Sequence, residues 1–234
     1  MRPRSSITPE YFGLCEAPFR MRQPVRFSRR GLIVGMSCAS KLLGSRQHGS
    51  LLERDLHTLL EADPSFESFV LEAHSLIYFA PAEHGHFQRR TYTPDIVART
   101  ISGEIVVIEG KAAALRAKAN WAEKEHLIRD AYWYDHGVRF CVLTEFEIRK
   151  EPRLSNCKII VSRARGADDP DLALRLGDAI RLRPHTLGEF YRVMPAPKAS
   201  VFATIMALVY RGKAQFDLAQ QMSEGSLFSE ALAR

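Results

Sequence analysis

Thr93-Pro94-Asp95, then Ser102-Gly103, then Ile105-Val106-Val107-Ile108-Glu109-Gly110-Lys111, is the stretch on which the fold turns. The β-branched run 105–108 reads as a buried strand, and residues 92–99 read as a short strand before it. Ser102-Gly103 makes the turn between them. Asp95 opens one strand and Glu109 ends the next, so a hairpin can hold them side by side at one end of a sheet. Glu109 and Lys111 are two apart, and on a strand that puts both on one face. Two carboxylates in that position suit a hard cation such as Mg2+. A lysine beside them can stabilise charge building on a phosphate. Written as a pattern, this is PD, thirteen residues, then E-x-K. An E-x-K triplet alone carries little information, and a surface hairpin with ordinary charges would show the same residues.

Working outward, Leu51, Leu52, Leu56, Leu59 and Leu60 recur at helical spacing over 50–62, and Asp63-Pro64 stops the helix. Glu53 falls in its first turn. It reads either as a carboxylate near the sheet-facing side that a metal would hold, or as half of a capping box with Ser50. Residues 66–79 read as one or two strands, 81–90 as a polar loop, and 112–135 as one long amphipathic helix. Further strands are expected at 139–144 and 158–162. This is a mixed α/β core with helices on the faces of a central sheet. Gly166 to Pro170 reads as a linker. Beyond it, helices are expected at 171–181, 199–210 and 214–222. The last two, around Gly212, fit either a helix-turn-helix or winged-helix fragment or a plain helical hairpin used for docking.

Composition narrows the class. The chain of 234 residues is 46% hydrophobic and 26% charged, which excludes a disordered or collagen-like chain. Its formal charge is +6, and that favours a polyanionic partner. The charge is uneven: residues 1–50 carry nine Lys and Arg against two Glu, while residues 51–100 carry four against eight acids. A basic N-terminal arm over 1–44 is therefore expected to precede an acid-rich segment, the combination a metal-dependent nuclease needs. Cys15, Cys38, Cys141 and Cys157 have no zinc-finger or CxxC spacing, so a reducing compartment is expected. The first residues lack the apolar core of a signal peptide and no apolar run spans a membrane, so a cytoplasmic protein is expected. His84-Gly85-His86 reads as a solvated loop. Trp121, Tyr132, Trp133 and Tyr134 read as cover for the sheet. There is no P-loop, GxSxG, HExxH or dinucleotide fingerprint.

Taken in order, Ser50-Leu-Leu-Glu53-Arg-Asp, Arg90-Thr-Tyr-Thr-Pro-Asp95, Ile108-Glu-Gly-Lys111 and Phe140-Cys-Val-Leu-Thr-Glu145-Phe-Glu-Ile148, with Leu154-Ser-Asn156 after them, resemble one family. They look like the TnsA-type transposon endonucleases, a branch of the PD-(D/E)xK, restriction-endonuclease-like superfamily. The resemblance runs over about residues 45–162 and is weaker beyond 171. It implies a restriction-endonuclease-like nuclease domain over 45–165 and a small helical or winged-helix-like partner-binding domain over 171–234. It implies that Glu53, Asp95 and Glu109 bind Mg2+, with Mn2+ as a substitute and the Gly110 carbonyl as an extra ligand, while Lys111 assists catalysis. It further implies double-stranded transposon-end DNA as substrate, cut on the 5′ strands. The implied partners are a DDE-type transposase and an AAA+ ATPase regulator. Alternatives are a restriction or junction-resolving nuclease of the same superfamily, or a non-catalytic adaptor on a nuclease fold.

Overall fold

A computed structural model describes residues 8–15, 18, 21, 35–36, 39–44, 47–166 and 169–231. Strands β1 (Gly35–Met36) and β2 (Gln47–His48) pair ahead of helix α1 (Leu51–Ala62). Then come β3 (Phe66–Leu71), β4 (Leu76–Pro81), β5 (Phe87–Tyr92), β6 (Ile96–Thr100) and β7 (Ile105–Gly110). Helices α2 (Ala113–Arg116) and α3 (Ala119–Ala131) lead through a π-turn (Tyr132–His136) to β8 (Arg139–Leu143) and α4 (Glu145–Ile148). The remaining elements are α5 (Arg153–Ala164), α6 (Pro170–Leu182), β9 (His185–Thr186), α7 (Leu187–Val193), α8 (Lys198–Tyr210), β10 (Ala214–Gln215) and β11 (Leu227–Glu230). Contacts sort the chain into one unit of Met1–His57 with Phe66–Ile148, and a second of Thr58–Ser65 with Arg149–Arg234.

In the first unit a four-stranded sheet runs β3-β6-β7-β8. Its pairs are antiparallel except β7–β8, which is parallel. A parallel pair needs a crossover, and α2 with α3 supplies it. The expected class, mixed α/β with helices flanking a mixed sheet, is what the chain adopts. Ile96, Val97 and Ala98 on β6 and Val106, Val107 and Ile108 on β7 are all buried, so these central strands are covered on both faces. That is why the 105–108 run is continuous and not alternating. Gly103 turns the chain between them at φ +83°, where a side chain would be strained.

Four expectations about this unit are corrected. The described part of 1–44 is no free arm: Phe12, Leu14 and Leu42 are buried, and Leu42 bridges to Phe69 on β3. Arg20, Arg22, Arg26, Arg29 and Arg30 lie outside the described residues. Residues 87–90, expected as loop, belong with Tyr92 to β5, which pairs with β4 in a two-stranded ribbon over six residues from Leu76↔Tyr92 to Pro81↔Phe87, and the strand expected from 92 starts instead at Ile96. The helix over 112–135 breaks at Lys118, which is extended and starts α3. Trp121 and Tyr132 are buried, but Trp133 and Tyr134 are exposed, because neighbouring residues on a helix cannot share one face.

The second unit packs α5 on α8 and pairs β10, β11 and β9 in a three-stranded antiparallel sheet. Leu176, Phe190, Val201, Ile205 and Phe228 form its fully buried centre. Residues 158–162 are helical, not a strand: Leu154, Cys157 and Ile160 fall at three-residue spacing on the buried face of α5, and that packing overrides β-branched propensity. Because α5 packs on α8, the expected boundary at 166–170 lies inside this unit and not at its edge. Residues 214–222 are a short strand followed by turns, where Asp217 accepts the Ala219 N–H at 2.9 Å, and not a third helix. Among the described residues no helix is long and apolar enough to cross a membrane.

Candidate active site

The β6–β7 register pairs Ile96 with Ile108, which sets Asp95 opposite Glu109 at the end of the sheet. The two are joined directly. The Asp95 N–H donates to Glu109 Oε2 at 3.3 Å, and the Gly110 N–H donates to Asp95 Oδ2 at 3.0 Å. Glu109 is buried, only 5% exposed. A buried carboxylate needs compensation, and it has two further partners. Tyr92 OH donates to Oε2 at 2.5 Å, and Lys111 Nζ lies 3.4 Å from Oε1. Burial foremost, then the Glu109 charge, raises the Tyr92 phenol pKa far above its ordinary value. Tyr92 therefore stays a neutral donor through the physiological range.

Lys111 lies just past β7, yet its N–H still bonds the Leu143 carbonyl at 2.9 Å and continues the β7–β8 ladder. Its side chain thus keeps the same-face relation to Glu109 expected of an E-x-K pair. Its ammonium lies 3.9 Å from the centroid of Trp121 on α3. Lys124, one turn along α3, holds its ammonium 5.2 Å from the same ring and 5.1 Å from the ring of Tyr92. Arg116 and Arg129 clamp Glu125 at 2.6–3.0 Å and tie α2 to α3. Burial would raise the Glu125 pKa, but these hydrogen bonds and charges outweigh it and lower it.

Glu53 makes the capping contacts. The Glu53 N–H donates to Ser50 Oγ at 3.2 Å, Ser50 Oγ donates back to Glu53 Oε1 at 3.0 Å, and the Gly49 N–H donates to Oε2 at 2.8 Å. Three residues on, Leu56 meets Gly110: a Cβ on Gly110 would lie 3.3 Å from Leu56 Cδ2 and 3.8 Å from Asp95 Oδ2. Asp95, Glu109 and Lys111 are thus brought together. Glu53 stands on a helix that touches the same backbone, but its carboxylate is engaged elsewhere. The donor chemistry fits a hard cation: two adjacent carboxylates, Asp95 and Glu109, stand at one end of the sheet beside Gly110. Among the described residues no group of three or more His, Cys, Asp or Glu side chains is placed to hold a metal. His84 and His86 are exposed at the tip of the β4–β5 ribbon.

Sequence reasoning missed Tyr92 here, read Trp121 only as sheet cover, and read Lys124 as a surface cation that could touch DNA, without placing either at the site. Tyr92 had a signal, three residues before Asp95 and one before Thr93-Pro94. Trp121 and Lys124 had none, since only the crossover helix brings them to the sheet end. No family model matches the chain, and no curated protein matches it.

Proposed function

We propose that the protein is a Mg2+-dependent DNA endonuclease with a restriction-endonuclease-like first unit, the nuclease subunit of a heteromeric transposase that cuts the 5′ strands at transposon ends. The observation that carries this reading is the junction of Asp95, buried Glu109 and Lys111 at one end of a mixed sheet. Asp95 and Glu109 would hold the metal, with Glu53 as a third ligand once its carboxylate leaves Ser50 and Gly49. When bound, Mg2+ supplies Lewis acidity toward a phosphate oxygen and lowers the pKa of water. The chain's own residues do the positioning. Tyr92 fixes one oxygen of Glu109, leaving the other to face Lys111. The Lys111 ammonium, steadied over Trp121, stabilises negative charge on the phosphate being cut.

From α6 onward the second unit has the order helix, strand, helix, helix, strand, strand, that of a winged helix. Its third helix, α8, is apolar and largely buried from Val201 to Val209, which suits a core helix better than one reading bases. We assign this unit to protein docking, with an AAA+ ATPase regulator and a DDE-type transposase as the partners the family resemblance implies. One observation favours a second reading, a non-catalytic adaptor: the capped state of Glu53.

The test is 5′-strand nicking of a transposon-end duplex with the partner proteins and Mg2+ present. Asp95→Asn or Glu109→Gln should reduce nicking by more than about a hundredfold, with melting close to that of the wild type. Unchanged nicking by either variant would remove the site assignment, and no nicking by the wild-type protein would favour the adaptor.

A further inference from the structure

Alternate residues of a strand share a face. On β5 the face that carries Tyr92 also carries Arg90 and Gln88, opposite Leu76, Tyr78 and Ala80 of β4. Leu76 and Tyr78 are buried where α3 packs on β4, whereas every residue from Phe87 to Thr91 is exposed. Neither strand of this ribbon contains Asp or Glu. Arg90 lies about 7 Å along the strand from Tyr92, at roughly 3.3 Å per residue. At Tyr92 the series of cations continues: Lys124 sits 5.1 Å from the Tyr92 ring, and Lys124 and Lys111 share the Trp121 ring at 5.2 and 3.9 Å. Arg90, Lys124 and Lys111 therefore step inward from an exposed ribbon to Glu109.

We propose that Arg90 and Lys124 extend the site into a track that grips the phosphate backbone of the DNA strand entering at Asp95 and Glu109. The proposal rests on the nuclease reading and adds to it the direction of approach, along β5. Arginine and lysine bind phosphate oxygens independently of sequence. The two strands carry no carboxylate that would repel the backbone; the one acidic residue between them is Glu83, in the connection at the far end from Tyr92. The Tyr92 and Trp121 rings hold the Lys124 ammonium close to the Lys111 end of the row.

The experiment uses the full chain and a fluorescein-labelled duplex of about 30 base pairs, without divalent cation, with anisotropy read across a salt series. Arg90→Gln and Lys124→Gln should each weaken binding about three- to tenfold and lower the slope of log affinity against log salt by about 0.9. Lys124→Arg should restore both, because it keeps the charge. Loss on Lys124→Arg as well would make Lys124 a packing residue and overturn its place in the track. Arg90 is exposed, so its variant decides the matter even if Lys124→Gln loosens the fold. Equal loss from Arg181→Gln, on α6 of the second unit, would reduce the effect to net charge and overturn the track. A wild-type protein that binds and nicks DNA while Arg90→Gln leaves affinity and slope unchanged also overturns it, with the nuclease reading intact. A wild-type protein that neither binds nor nicks removes both.

Discussion

Tyr92→Phe keeps the ring and removes one hydroxyl, which makes it the sharpest probe of the site. The hydroxyl donates to a buried Glu109 oxygen at 2.5 Å, and the ring lies edge-on to Phe140 at 5.9 Å. The ring packing survives the substitution and the hydrogen bond does not. A hydrogen bond to a charged group contributes about 1.5–3 kcal/mol. Glu109 keeps the Asp95 N–H and Lys111, so a loss of about 2 kcal/mol is expected. Both tryptophans, Trp121 and Trp133, belong to the first unit, so their fluorescence reports its unfolding by itself. With a urea dependence of about 2 kcal/mol per molar, the midpoint should fall by roughly 1 M. Combining Tyr92→Phe with Glu109→Gln should show coupling of at least about 1 kcal/mol. A pH series adds a second reading. Burial first, and the Glu109 charge second, raise the Tyr92 pKa in the folded state above the ordinary 10.0. This stabilisation is therefore complete below pH 10 and is lost as pH rises above it, because the unfolded chain releases the phenolic proton first. Tyr92→Phe should lose less stability above pH 10 than the wild type. A midpoint shift under about 0.3 M, or coupling under about 0.5 kcal/mol, would refute the account of how Glu109 is held.

Two further outcomes are expected. Burial, partly opposed by the hydrogen bond to the Tyr11 carbonyl, lowers the His74 pKa to about 4. The unfolded chain then binds more protons between pH 6.5 and 4, so stability is full above 6.5 and falls by about 3 kcal/mol as pH drops through that window. His74→Phe should flatten this acid loss in tryptophan fluorescence, and an unchanged acid transition would place its origin elsewhere. Glu53→Gln keeps an oxygen for the Gly49 N–H and should change stability by less than about 1 kcal/mol. As a metal ligand Glu53 should nonetheless be required, with nicking down more than about a hundredfold. Wild-type nicking by that variant would leave Glu53 a cap and nothing more.

The β6–β7 hairpin was legible in the sequence for a local reason. A β-branched run, a Gly turn and a period of two are properties of neighbouring residues, and they suffice to set Asp95 beside Glu109 and Lys111 on the Glu109 side. Ser50-x-x-Glu53 was equally legible as a cap, since a capping box closes within one turn. Thr186-x-x-Glu189 carries the same signature for α7, which was not expected. What tertiary structure alone decided depends on distant partners. Residues 158–162 have strand propensity but became helix because Leu154, Cys157 and Ile160 face the interior. Residues 87–90, at the end of a run expected as loop, became strand because β4 offered them a ladder. Lys124 and Trp121 reach the site because a parallel β7–β8 pair forces a crossover helix over that end of the sheet, and no pattern of neighbouring residues encodes where such a helix will lie.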